Sequence, residues 1–64
     1  MDRKVIEQVL RQERLDAVKI EKVRKSYEVI LWDEPSKSKL VRLSLALNCK
    51  VTVQEHKIVL EDSL

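Results

Sequence analysis

Apolar positions recur at two different periods along this 64-residue chain. In the opening segment Val5, Ile6, Val9 and Leu10 fall at i, i+1, i+4 and i+5, which makes one stripe on a helix over residues 2–14. Asp2 stands where a side chain can cap that helix and favour its dipole. Arg3, Glu7 and Arg11 follow at four-residue intervals on the polar side, where each exposed pair adds about 0.2–0.5 kcal/mol. The period then shortens. AVKIEKVR (17–24) alternates apolar with charged residues, and YEVILWD (27–33) is rich in β-branched and aromatic side chains, so both read as strands. A short turn around Lys25 and Ser26 joins them. A two-residue loop sets Ile20 opposite Leu31 and Lys19 opposite Trp32. A three-residue loop sets Val18 opposite Trp32, Ile20 opposite Ile30 and Lys22 opposite Glu28, which is the chemically cleaner pairing. In either register the second strand is apolar on both faces, with Tyr27, Val29 and Leu31 pointing one way and Ile30 and Trp32 the other.

Pro35 and its serines break the chain, and Ser36 or Ser38 can cap a helix that starts after the break. Leu40, Leu43 and Leu47 make a helical stripe with Val41 and Ala46 beside it. The same segment also alternates as a strand would, through Val41, Leu43, Leu45 and Leu47. The leucines, the alanine and a stop at Asn48 favour a helix over 40–47; a strand there would give one helix on a five-strand meander. The closing stretch CKVTVQEHKIVLED folds on paper as a hairpin. With Glu55 and His56 at the loop, Val53 faces Ile58, Val51 faces Leu60 and Lys50 faces Glu61, so apolar meets apolar and charge meets opposite charge. A two-residue turn prefers residues that accept positive φ, and Glu is not one, so a four-residue turn over 54–57 is expected. Residues 5–34 and 40–62 both read helix, strand, strand. The expected fold is therefore α+β in αββαββ order, an antiparallel four-stranded sheet with two helices on one face, as a single compact domain over 1–64.

Composition narrows the possibilities. Nine Val, nine Leu and four Ile are too apolar for a disordered tail. No apolar run reaches the roughly 18 residues of a membrane span, and MDRKVIEQVLRQ lacks the uninterrupted apolar core of a signal peptide. A cytoplasmic protein that spans no membrane is expected. One cysteine forms no internal disulfide. A domain this short buries only about 60% of its unfolded surface, so a second subunit is the natural source of extra stability, and a homodimer is expected. The net charge is +2, with the basic excess in residues 1–26, far below the footprint of a typical nucleic-acid binder. The chain has no glycine, which excludes phosphate loops and dinucleotide fingerprints, where the backbone must approach a phosphate closely.

The chemistry-bearing residues are few. Cys49 and His56 lie at opposite ends of the expected strand, roughly 20 Å apart at about 3.3 Å per residue, too far to share a metal or form a nucleophilic pair. The carboxylate pairs Asp33–Glu34 and Glu61–Asp62 flank strand ends, with little volume for the pocket that would separate their pKa values. No catalytic residue, metal ligand or cofactor site is assigned, and no enzymatic activity is expected. Lys19, Lys22, Arg24 and Lys25 gather around the first turn, and Lys37 and Lys39 in the serine-rich break, where they suit phosphate contacts. The run RLSLALNCKVTVQEHKIVLED is similar in rhythm to the end of the swapped-hairpin DNA-binding domains of transition-state regulators and addiction antidotes. The family's turn glycine and its Ile-Pro element are missing, so the resemblance assigns no residue in this chain.

Two functions are expected from these features. The first is a small non-enzymatic interaction or regulatory protein that binds a protein partner, or itself, through the sheet face away from the helices, at Ile30, Trp32 and Val59. Its shortness suits a regulator or inhibitor from a bacterium, plasmid or phage. The alternative is a nucleic-acid-binding regulator that uses Lys19, Lys22, Arg24, Lys25, Lys37 and Lys39.

Overall fold

A computed structural model describes residues 2–62. Helix α1 (Arg3–Gln12) leads into strands β1 (Ala17–Val23) and β2 (Ser26–Leu31), then helix α2 (Lys37–Leu47) into β3 (Cys49–Gln54) and β4 (Lys57–Asp62). The order is αββαββ. All pairings are antiparallel, and the sheet runs β1-β2-β4-β3 with both helices on one face.

Each helix starts where a side chain caps it. Asp2 accepts from the Lys4 amide at 3.2 Å, and Ser36 from the Lys39 amide at 3.4 Å. Segment 40–47 is helix, closed by Asn48 at φ 50°. The α1 end is a Schellman motif: Leu15 N–H donates to the Leu10 carbonyl at 2.9 Å and Arg14 N–H to Arg11 at 3.0 Å, with Arg14 left-handed at φ 56°. Leu15 then packs against the core.

The β3–β4 hairpin has the expected register, with Val53 opposite Ile58, Val51 opposite Leu60 and Lys50 opposite Glu61. Gln54 pairs with Lys57, so Glu55 and His56 make a two-residue turn in place of the expected four-residue one, because Glu55 takes φ 58° despite its side chain. The first hairpin forms neither of the two registers drawn from the sequence. Its turn residues are Arg24 and Lys25, so Val23 faces Ser26, Lys22 faces Tyr27 and Ile20 faces Val29. The reason is local. Arg24 accepts φ 58°, which centres the two-residue turn on Arg24 and Lys25, and Ser26 Oγ donates to the Val23 carbonyl at 2.9 Å. The register shifts again between Ala17 and Lys19, at a bulge that holds Val18. β2 also stops at Leu31, one residue short of Trp32.

The core lies between sheet and helices. Ile6, Val29, Leu43, Ile58 and Leu60 are fully buried, joined by Val9, Leu10, Tyr27, Leu31 and Cys49. Each large side chain buried here contributes about 1.5–3 kcal/mol. β2 and β4 form the centre, where Val29 pairs with Ile58 and Tyr27 with Leu60. The two αββ halves correspond closely. Setting Arg24 on Glu55 aligns both turns, each with positive φ at its first residue, and places β1 on β3 and β2 on β4.

Without glycine, the four left-handed positions among the described residues fall on Arg14, Arg24, Asn48 and Glu55. A side chain there costs about 1–2 kcal/mol, part of which glycine returns as backbone entropy. Glu55→Gly is therefore expected to stabilise the fold by about 0.5–1 kcal/mol, seen as a rise of a few degrees in Tm. An unchanged or lower Tm would show that the turn stores no such strain.

Candidate interaction surfaces

The sheet face away from the helices is mostly charged. Glu28 binds Lys57 at 2.9 Å, and Lys19 binds Glu21 at 3.2 Å. Ile30, 38% exposed, faces Lys19 and Lys57, and the half-buried Val59 faces Glu28, so the two stand on neighbouring strands, two pairs apart along the ladder. The Glu28–Lys57 ion pair takes the crossing diagonal, so Ile30 and Val59 are two small apolar groups set among charges. Trp32 is placed elsewhere. Beyond the end of β2, its N–H donates to the Asp16 carbonyl at 3.2 Å, and it lines an open cleft at the β1 edge with Arg3, Glu7, Arg11 and Val18. It is the chain's one tryptophan and is 69% exposed.

The basic residues form two separate groups. Lys22, Arg24 and Lys25 surround the first turn and share an open cleft with Tyr27, Glu61 and Asp62. The Lys22 ammonium stands 6.0 Å from the Tyr27 ring centre, a cation–π contact. Lys19 is engaged by Glu21. Lys37 and Lys39 open α2 at the other end of β2, roughly 20 Å away at about 3.3 Å per strand residue. Lys39 borders a cleft that also holds Asp16, Asp33 and Glu34. No single basic face collects all six.

Cys49 begins β3 opposite Asp62, while His56 sits in the turn at the other end of the hairpin. Cys49 is 4% exposed, and burial, reinforced by the Asp62 carboxylate, pushes its thiol above the ordinary thiol range. Its carbonyl accepts from Ser44 Oγ at 2.8 Å, fastening α2 to β3. Arg42 Nε meets Glu13 Oε1 at 2.6 Å, fastening α2 to the end of α1.

One surface lies outside the expectations drawn from the sequence. α2 buries Leu43 and half-buries Leu40 and Leu47, yet also turns Val41 (57% exposed) and Leu45 (76% exposed) outward. Leu40, Val41, Ser44, Leu45 and Val51 line a groove between α2 and the edge strand β3. The signal for it is the double periodicity of 40–47. A segment that fits both a helix and a strand, and then folds as a helix, has more apolar positions than one buried face consumes.

Among the described residues no helix is long and apolar enough to cross a membrane. Neither protein-family models, curated proteins nor solved structures contain a match to the chain.

The raised thiol pKa fixes a pH dependence. A group whose folded-state pKa lies above its unfolded value adds stability that is complete below the unfolded pKa and lost as pH rises through the folded one. Urea denaturation should therefore show Cys49 contributing to a loss of stability above the ordinary thiol range, near pH 9. That component should be missing in Cys49→Ala. Equal pH slopes for the two proteins would contradict it.

Proposed function

We propose that this chain is a small non-enzymatic interaction protein, cytoplasmic and homodimeric, that binds a protein partner through Trp32 at the cleft beside α1, with Ile30 and Val59 on the open sheet face as a second, smaller contact. The observation that carries this reading is Trp32 itself, a large aromatic left 69% exposed in a chain short of apolar area. Tryptophan is enriched among the residues that dominate binding energy at protein interfaces. Apolar groups set among charged pairs, as Ile30 is among Glu28–Lys57 and Lys19–Glu21, have the layout of such interfaces.

The alternative is nucleic-acid binding. Its support is the gathering of Lys22, Arg24 and Lys25 at one exposed turn. Glu61 and Asp62 in the same cleft oppose the field that phosphates would need.

Capture from host extract separates the readings. Immobilised wild-type protein should retain a partner that Trp32→Ser fails to retain, with far-UV circular dichroism and Tm unchanged between the two. The same proteins on both columns would sink the Trp32 reading. A low-salt shift of DNA or RNA, lost when Lys22, Arg24 and Lys25 are changed to Glu, would install the alternative.

A further inference from the structure

We propose that a second copy of this chain docks on the free edge of β3 and the outward face of α2, joining the two sheets across a two-fold axis at Thr52. This rests on the homodimer reading above and names the surface that makes the dimer.

The argument begins with the correspondence of the two halves. With Arg24 set on Glu55, Ile20 matches Val51, Glu21 matches Thr52 and Lys22 matches Val53. Both β1 and β3 are edge strands, each paired on one side among the described residues. An open edge invites another strand, and proteins that must avoid this place charges and bulges there. β1 has both: Lys19, Glu21 and Lys22, and the bulge at Val18. β3 has neither to the same degree. CKVTVQ carries one charge, Lys50, and pairs with β4 in unbroken register from Cys49 to Gln54. The first half is guarded against strand addition where the second is not.

The helices differ in the same way. The exposed side of α1 carries Arg3, Lys4, Gln8 and Arg11, with Val5 as its one large apolar group. The exposed side of α2 carries Val41, Leu45 and Ala46 beside Lys37, Ser38 and Arg42, two large apolar groups where α1 has one. α2 packs beside β3, so its apolar face and the unguarded edge adjoin along the groove that Val51 lines.

The surface is also self-complementary, as a two-fold interface must be. With Thr52 on the axis, Thr52 meets Thr52 of the second copy, Val51 meets its Val53, and Lys50 meets its Gln54. Thr–Thr and Val–Val pairs are favourable across antiparallel strands, and no like charges face each other in this register. The two α2 helices then lie side by side on one face of an eight-stranded sheet, with Val41 and Leu45 covered by the partner. A standard interface takes roughly 800 Å² per protomer. That is about a sixth of the 4818 Å² surface of this chain, which a strand edge plus a helix face can supply. Trp32 and β1 remain at the outer ends of the doubled sheet, free for a different partner.

Sedimentation equilibrium at high micromolar concentration tests the proposal. Wild-type protein and Trp32→Ser should both show twice the 7.5 kDa chain mass, and Leu45→Glu should show the single mass with native circular dichroism. A strand-to-strand contact is tested separately by Thr52→Cys. Facing residues of an antiparallel pair have Cα atoms about 4.5–5.5 Å apart, within disulfide reach, so mild oxidation should link most of this variant into dimers. Glu21→Cys, at the matching place on β1, should not link, nor should wild type with its buried Cys49. This arm decides the matter if Leu45→Glu does not fold. A monomeric wild type overturns the proposal, as does a dimer that survives Leu45→Glu and is lost in Trp32→Ser, or equal cross-linking of Thr52→Cys and Glu21→Cys. The capture experiment with Trp32→Ser does not alter the mass of the wild-type protein, so the two readings fail independently.

Discussion

Everything in this fold depends on the pairing of β2 with β4. A helix and a hairpin alone fall below the roughly 40 residues under which a chain usually needs a disulfide, a metal or a partner to fold. Each αββ half presents one inner strand with Val29 and Tyr27, or Ile58 and Leu60, turned toward the helices. When these strands pair, one core forms beneath Ile6, Leu10 and Leu43, and two of the four sheet edges vanish. The contact joins residues far apart in sequence, so it is where loop-closure entropy is set against the gain from burial. The ties elsewhere are secondary. Arg42 to Glu13 and Ser44 to Cys49 orient α2 once the core exists; an exposed ion pair such as the first contributes about 0–1 kcal/mol and a hydrogen bond such as the second about 0.5–1.5 kcal/mol.

The lack of glycine shapes the rest. Arg14, Arg24, Asn48 and Glu55 hold left-handed backbone that glycine would hold with less strain. Each spends stability that a 64-residue domain has little of. A second copy that covers Val41 and Leu45 would return apolar burial where the monomer leaves it exposed. The half that is unguarded at its edge is also the half with the two-faced helix, so in the proposed dimer strand addition and helix packing would reinforce each other.

Much of this architecture is legible in the sequence, for identifiable reasons. The β3–β4 register is readable because three pairs agree in it at once, and a slip by one residue would put Val51 and Val53 on the solvent face. The β1–β2 register is not. It turns on Arg24 accepting positive φ and on a bulge at Val18, and neither leaves a mark in the hydrophobic pattern. The burial of Tyr27, Val29 and Leu31 is readable from alternation, and so is the exposure of Ile30. The position of Trp32 is hidden because β2 ends one residue earlier than its β-prone composition implies, which leaves Trp32 outside the strand and lining the cleft beside α1. The apolar face of α2 is hidden because its double periodicity reads as a choice between two elements, when it describes one element with two apolar faces.

The central claim is that the two edges of the sheet differ, β1 closed to further strands and β3 open to one. Amide hydrogen exchange measured at rising protein concentration tests this most directly. The account predicts that outward-pointing amides of β3 become protected as concentration rises, while those of β1 exchange at the same rate throughout. Equal, concentration-independent exchange at both edges would contradict it.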